Sequence, residues 1–348
     1  MTSTEQTVNA TRYILIAIAL LAVAAILWTI SDVIVIAFGS IVFATVLRAL
    51  SEPLAKVTHW SERWSLAAVV VGLTLILLLL FWLFGRQAAS QFAEMRDRLP
   101  AAMEKVREWV GGSQLGRLTL DLFKQSSEGS AVGGAGTALG ATVGGVANIL
   151  LILFVGVYLA ADPRLYRDGA LRLLPPSRRQ QVGRALDHAG RDLRKWLVAQ
   201  IIVMIAVGIL VGVGLALLKV PLSLSLGLLA GLLEFVPVVG PVVSGIPAVL
   251  LAFTQGPQTA LYVIILFVVV QQIESNILTP LMQRWAVKLP PVIALLSIVA
   301  AGLLFGVMGV IFATPMAVVI VAMVQHLYVE DTLENEHDEP KRARRKNG

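Results

Sequence analysis

Five hydrophobic runs, each almost free of charge, constrain the fold of this chain more than any other feature. They span residues 13–30, 66–85, 148–161, 197–218 and 260–273. A hydrocarbon core of ~30 Å needs about 20 apolar residues as helix. Of the 348 residues, 57% are hydrophobic and only 14% are charged, whereas a soluble domain has roughly 25% charged residues. The sequence therefore predicts an all-α polytopic membrane protein with six to eight transmembrane segments.

Two later hydrophobic segments are interrupted by glycine and proline. Segment 221–253 contains EFVPVVGPVVSGIP, and segment 290–324 contains FGVMG. A span needs about 20 residues, and these longer segments have the length of two half-helices joined by a turn. The stretch GLLEFVPVVGPVVSGIPAVLLA (231–252) also aligns with GLLFGVMGVIFATPMAVVIVA (302–322). We expect two hairpin-like segments related as an inverted repeat, with Gly306, Gly309 and Pro315 at the second turn.

The alternative is that both segments cross fully, which gives eight spans instead of six. The two topologies differ at 283–291, QRWAVKLPP, whose two basic residues favour the cytoplasmic side required by the hairpins. Glycine- and proline-broken segments that occur as a pair mark the binding site of many transporters. Backbone that is not helical at membrane depth must be buried in protein or line water.

Positive charge in the loops predicts the orientation. The loop at 162–196 has nine basic and four acidic residues, against seven and six in the loop at 86–141. The loop at 162–196 should therefore be cytoplasmic and face an anionic leaflet, and both termini should be cytoplasmic as well. The predicted regions are three transmembrane helices (1–85), an extracytoplasmic amphipathic helix with a Gly-rich linker (86–141), a fourth helix with the basic loop (142–196), a transport core (197–326) and a charged tail (327–348).

Two carboxylates, Glu234 and Glu274, lie deep in the apolar C-terminal half. A charge in lipid costs at least ~2.5–3.5 kcal/mol on insertion scales, so each must face protein or water. Their roles are either a proton or cation site, or structural hydrogen-bond anchors between helices. Both flank interrupted or polar helix, which favours the ion site.

The segment QQIESNILTP, 271–280, adds a polar stripe beside Glu274. At α-helical spacing Gln271, Glu274, Ser275 and Leu278 share one face, and Gln272, Asn276 and Thr279 form the next. Amide and hydroxyl groups suit a polar, uncharged solute. The predicted transport pathway consists of Glu234, Pro237, Gly240, Pro241, Gln271, Gln272, Glu274, Ser275, Asn276, Thr279 and Pro280.

Other chemistries find little support in the sequence. The chain has no cysteine, and its four histidines are far apart along the chain and lack metal-ligand spacing. It has no Walker A motif for ATP and no HExxH motif. We therefore expect no enzyme activity, no cofactor, no metal and no nucleic acid.

The interrupted segments and the polar stripe resemble the AI-2E family of bacterial membrane proteins. The matching residues are Glu234, Pro237, Gly240, Pro241, Pro247, Gln271, Gln272, Glu274, Asn276, Pro280, Pro290, Pro291, Gly302, Gly306, Gly309 and Pro315. The resemblance implies a homo-oligomer in the plasma membrane. It also implies transport: export of autoinducer-2 in some members and sodium(lithium)/proton antiport in others.

Three functions remain open. The first is a secondary transporter that exports a small polar solute, such as an autoinducer-2-like signal, by alternating access coupled to a proton or cation. The second is a sodium(lithium)/proton antiporter. The third is a membrane scaffold that transports nothing and is organised by the amphipathic helix at 87–110.

Overall fold

The computed structural model describes residues 31–76, 78, 79, 82, 134–283 and 289–327, and within this part of the chain the regular structure is entirely helical. The predicted first span at 13–30, the amphipathic helix at 87–110 and the tail from residue 328 lie outside these ranges.

The described helices follow one another with short connections. In chain order they are α1 (Ser31–Thr58), α2 (from residue 62), α3 (Gly134–Ala161), α4 (Pro163–Arg172), α5 (Pro176–Leu217), α6 (Ser223–Leu233), α7 (Val239–Gln255), α8 (Pro257–Ile273), a π-helical turn (Glu274–Leu278), α9 (Thr279–Gln283) and α10 (Pro291–Val324). The Gly-rich linker predicted up to residue 141 ends earlier than expected, since α3 already begins at Gly134.

Proline starts several of these helices. Pro163, Pro176, Pro257 and Pro291 each occupy one of the first two helical positions of α4, α5, α8 and α10. The missing N–H costs nothing there, because the first N–H groups of a helix have no partner within the helix. The sequence thus fixes where these four helices begin.

Helices of membrane-spanning length confirm the predicted fold class. Within the described residues, four helical stretches are, by length and composition, apolar enough to cross a bilayer: α1, α5, the stretch Pro257–Met282 and the stretch Pro291–Leu327. A fifth crossing results if Ala147–Ala161 and α4, which meet at 90°, count as one broken span. The helices α6 and α7 are apolar but shorter, with 11 and 17 residues. The chain is a polytopic helical membrane protein, while the predicted number of six to eight spans stays a prediction.

Helix α5 is the centre of the packing in the described part of the chain. It contacts α1, α4, α6, α8 and α10. Its apolar half shares a buried cluster with α6, α7 and α8, which includes Val207, Val211 and Val263. A second cluster joins α5 to α1, α3 and α10 through residues such as Leu197, Val35 and Ile152. Both interrupted segments therefore pack against α5, the first around Val207 and Val211 and the second around Leu197.

Candidate functional site

The first interrupted segment folds back on itself at its break. Helix α6 ends at Leu233, and α7 begins at Val239. A Cβ atom on Gly240 would lie only 2.2 Å from the Leu233 carbonyl oxygen. Seven residues along a straight helix span about 10.5 Å, so this contact requires the chain to reverse. Only glycine permits the approach. Val238 completes the turn at φ 71°, a value that a β-branched residue rarely adopts.

The second interrupted segment has a similar reversal inside α10. Gly306 adopts φ 62° and ψ −146°, which is not helical. A Cβ atom on Gly309 would lie 2.0 Å from the Ala301 carbonyl oxygen, although the two residues would be about 12 Å apart along a straight helix. The 34 residues of α10 are therefore two arms and not one rod. Pro315, the third residue assigned to this turn, lies buried in the second arm.

In both segments, a glycine after the break packs against a backbone carbonyl before the break. Gly240 packs on Leu233, and Gly309 packs on Ala301. The two segments were aligned in sequence as wholes, without pairing these residues. Whether they enter a membrane from opposite sides stays a prediction.

Two GxxxG pairs hold α6 against α5. Gly208 and Gly212 of α5 face Gly227 and Gly231 of α6. A Cβ atom on Gly227 would lie 2.5 Å from the Gly212 Cα, so the backbones touch directly. Small residues at this spacing allow close approach of membrane helices. Both motifs are visible in the sequence as GILVG and GLLAG. Their effect is to press the end of α6, where Glu234 follows, onto α5.

Gln200 of α5 holds the break between α6 and α7 through a hydrogen bond to its backbone. The sequence analysis did not single out this residue. Its side chain is buried, and Nε2 donates a hydrogen bond of 2.6 Å to the Glu234 carbonyl. That carbonyl is one of the groups freed where α6 ends. Trp196, one turn earlier on α5, packs edge-on against Phe235 with ring centroids 6.1 Å apart. A lone amide within an apolar run was the available signal for Gln200.

The side chain of Glu234 points into the protein interior. It is 0% exposed, and neither carboxyl oxygen receives a hydrogen bond from the described residues. The carboxyl of Glu274, also buried, faces it closely enough to interact directly. Two ionised carboxylates offer only acceptors, so this contact becomes a hydrogen bond only when one group carries a proton. Without a proton, the two charges repel each other unless a cation lies between them.

The two carboxyls border a small cavity between α5, α7 and α8. Its polar lining also includes Ser244 and Gln271, and its apolar lining includes Val207, Val211, Pro241, Phe267 and Val270. The cavity volume is about 10 Å³, which on this measure is room for about one water molecule. The site in this conformation can therefore hold a proton, a water molecule or a small cation, and has no room for an organic solute.

The polar stripe at 271–280 is not a regular α-helix. Helix α8 ends at Ile273, and Glu274–Leu278 forms a π-helical turn. The Thr279 N–H donates to the Glu274 carbonyl five residues earlier, and Pro280 then has no N–H to offer. Thr279 is half-buried and Pro280 is exposed. This stretch is therefore a π-turn, and π-turns of this kind are frequent at functional sites.

The stripe divides into an inner and an outer part. Gln271 Nε2 donates a 2.8 Å hydrogen bond to Glu274 Oε2, and both residues line the cavity. Gln272, Ser275 and Asn276 are exposed on the outside of the chain. Asn276 Nδ2 donates to Gln272 Oε1 at 3.0 Å. Ser275 is exposed, whereas Glu274 is buried, so Ser275 does not line the cavity with Gln271 and Glu274.

Two contacts far from the cavity were also not foreseen. His188 and His326, distant along the chain, stack with ring centroids 4.0 Å apart. Arg48 donates from Nε to the Ala160 carbonyl at 2.9 Å and from Nη1 to Glu62 at 3.0 Å, which joins α1, α2 and α3. Within the described ranges, no group of three histidine or carboxylate side chains could hold a metal ion.

Comparison with known proteins supports the interpretation of the sequence. A family model described as "AI-2E family transporter" matches residues 14–329. The chain is 31% identical over 199 residues to "Putative transport protein YrrI" of Bacillus subtilis, covering 55% of this chain and 56% of that protein. It is 30% identical over 317 residues to "Putative transport protein MT0215" of Mycobacterium tuberculosis, covering 85% of this chain and 84% of that protein. The match to "Putative transport protein YueF" of Bacillus subtilis has 30% identity and covers 53% of this chain. This chain spans about half the length of the two Bacillus relatives.

Proposed function

Because this chain belongs to the AI-2E transporter family, we propose that it is a secondary transporter of the plasma membrane whose coupling ion binds at the carboxyl pair Glu234–Glu274. The observation that carries the proposal is the Glu234 carboxyl, fully buried at a helix break and facing a second carboxyl. A merely structural carboxyl at this depth would be expected to accept hydrogen bonds.

The geometry favours a proton that exchanges with a small monovalent cation. One proton converts the carboxyl pair into a hydrogen-bonded pair, and one cation can take its place between the oxygens. Gln271 and Ser244 add oxygen atoms to the lining. A cavity of about 10 Å³ fits these occupants. The proposed activity is therefore sodium(lithium)/proton antiport, or proton-coupled transport through the same pair.

Alternating access gives the interrupted segments their role. Each contains a glycine-dependent reversal packed near α5, and in an inverted repeat the two would open toward opposite sides of the membrane. Movement of one fold-back relative to α5 would expose the carboxyl pair to one side at a time. Both termini would then be cytoplasmic, in accordance with the basic loop at 162–196.

Export of a small polar solute is the second candidate, and a separate observation favours it. Gln272, Ser275 and Asn276 present an amide and hydroxyl surface on a helix of membrane-spanning length. Exposed polar groups at this depth need a polar solute, water or another subunit of a homo-oligomer. Under this hypothesis the carboxyl pair supplies the coupling, and the solute crosses outside the cavity.

Flux through purified protein in proteoliposomes tests the proposal. Vesicles with a pH-sensitive dye inside receive an imposed sodium, lithium or proton gradient, and a solute screen is run in parallel. Wild-type protein should move protons in exchange for the cation, and Glu234→Gln should reduce the flux to that of empty vesicles. The matched control is Glu62→Gln, which removes a carboxylate that is 72% exposed and should keep wild-type flux. Equal flux in wild type and Glu234→Gln would contradict the proposal.

A further inference from the structure

Helix α4 leaves α3 at a right angle. The apolar stretch Ala147–Ala161 and the helix Pro163–Arg172 meet at 90°. Asp162 makes the corner by accepting a 3.3 Å hydrogen bond from the Leu165 N–H, and Pro163 starts the new helix. Since α3 is an apolar helix of 28 residues, a helix perpendicular to it lies along the bilayer surface when α3 crosses the membrane.

The contacts of α4 with α5 fix which face of α4 points outward. Arg167 donates from Nη2 and Nε to the Asp187 carboxylate at 2.6 and 2.8 Å. One turn later, Leu171 lies against Gly183, where an added Cβ atom would be 3.3 Å from Leu171 Cδ1. This two-point attachment holds α4 in one rotational position about its axis.

The face of α4 opposite α5 is apolar and uncovered. Leu165 is 64% exposed, Tyr166 is 43% exposed and Leu173, at the end of the helix, is 88% exposed. At 100° per residue these side chains lie together on the side away from Arg167 and Leu171. Three large exposed apolar side chains on one short helix require an apolar environment or a partner.

Positive charge borders this apolar face. Arg172 is exposed beside it, and Arg164 is exposed about 100° from Leu165, from where its long side chain can extend to the headgroups. Neither forms an ion pair with the described residues. Asp168, the acidic residue of α4, is bound to Arg167. The whole loop at 162–196 carries nine basic and four acidic residues. The complementary partner is an anionic surface with an apolar interior, which is the chemistry of a bilayer leaflet rich in acidic phospholipid.

We propose that α4 is an interfacial helix that binds anionic phospholipid, with Leu165, Tyr166 and Leu173 at the acyl boundary and Arg164 and Arg172 at the headgroups. This inference does not depend on the proposed transport activity. The binding would hold the basic loop on the leaflet surface and keep the corner between α3 and α5 in place.

The absence of cysteine from the chain permits a direct test. Gly169 lies on the apolar face between Leu165 and Leu173, and an added Cβ atom there meets nothing within 4 Å. A fluorophore on Gly169→Cys reports the position of α4 in full-length protein in vesicles. The matched control is Gly190→Cys on α5, where an added Cβ atom also meets nothing within 4 Å. The probes are vesicles containing nitroxide-labelled phosphatidylglycerol or nitroxide-labelled phosphatidylcholine, compared at equal content.

The label at Gly169→Cys should be quenched strongly by both lipids and more strongly by phosphatidylglycerol, while the label at Gly190→Cys should be quenched weakly. Each basic side chain near an anionic surface strengthens the attraction about fivefold. The double variant Arg164→Gln/Arg172→Gln should therefore lower the preference for phosphatidylglycerol by about 25-fold. Removing equal charge from α5 with Arg191→Gln/Lys195→Gln should change it much less.

Three results would overturn the proposal. Equal, weak quenching of both labels would show that α4 lies in water. Equal quenching by the two lipids, unchanged in Arg164→Gln/Arg172→Gln, would show that the surface does not recognise anionic headgroups. Energy transfer between labels on separate copies, together with weak lipid quenching, would show that a second copy covers the face.

Discussion

Substituting Gly240 by alanine changes a single methyl group at the point where α7 packs on α6. The new Cβ atom would lie 2.2 Å from the Leu233 carbonyl oxygen and 2.9 Å from the Glu234 nitrogen. Both distances are below the 3.0 Å limit that real Cβ atoms essentially never cross, the first by about 0.8 Å. Backbone cannot yield as a flexible side chain would, so the two arms must separate by about this amount.

The displacement should affect stability and transport together. Overpacking of this kind costs about 1–3 kcal/mol, which we expect as a lower temperature of thermal unfolding in detergent. Moving Glu234 by close to 1 Å relative to Glu274 should lower the transport rate by about 10²-fold, because a misplacement of about 1 Å lowers the rate of other active sites by about 10²-fold.

Gly245→Ala is the matched control, five residues further along the same helix. Its Cβ atom would meet the Phe267 ring at 3.6 Å, an ordinary contact, and alanine favours helix over glycine by about 0.5–1 kcal/mol. Unfolding temperature and proteoliposome flux should therefore stay at wild-type values or rise slightly. Gly240→Ala protein with the stability and flux of Gly245→Ala would refute the fold-back geometry.

Two further substitutions test neighbouring contacts. Gln200→Leu should destabilise the protein by about 1–3 kcal/mol in thermal unfolding, because the buried Glu234 carbonyl loses its donor; unchanged stability would contradict the role of this hydrogen bond. Gly309→Ala should lower the unfolding temperature and the flux, because its Cβ atom would lie 2.0 Å from the Ala301 carbonyl oxygen; a protein indistinguishable from Gly72→Ala, where the added Cβ meets nothing within 4 Å, would argue against a reversal in α10.

The controls for Gln200→Leu use a similar contact at the surface. Gln255 Nε2 donates to the Lys219 carbonyl at 2.9 Å in an exposed setting. Water can replace this donor, so Gln255→Leu should cost much less than Gln200→Leu. Equal losses in the two variants would show that burial of the Glu234 carbonyl is unimportant.

The sequence predicts the helical class and both breaks because these depend on local chemistry. Apolar runs specify spans through their length, and the clusters of glycine and proline at PVVGP and of glycine at FGVMG indicate where the chain breaks. Glu234 and Glu274 could be singled out one by one for the same reason, since a carboxylate within an apolar run is costly. Their close approach, between the ends of α6 and α8, depends on tertiary packing and is not predicted by the sequence.

The features that were missed depend on contacts between distant segments. Gln200 is an unremarkable amide until α6 places the Glu234 carbonyl against it. The π-turn at Glu274–Leu278 shifts side chains in a way that a regular helical spacing does not predict. His188 and His326 are 138 residues apart along the chain, and only the packing of α10 beside α5 brings their rings together. The spacing of residues along the sequence does not predict such contacts.

A double-substitution comparison at the carboxyl pair tests the central claim most directly. Cation-driven proton flux is measured for wild type, Glu234→Gln, Glu274→Gln and the protein that carries both substitutions. If the two carboxyls form one site, either single substitution removes the coupled flux, and the double substitution removes no more. Losses that multiply, as they do for independent residues, or wild-type flux in the double variant would contradict the account.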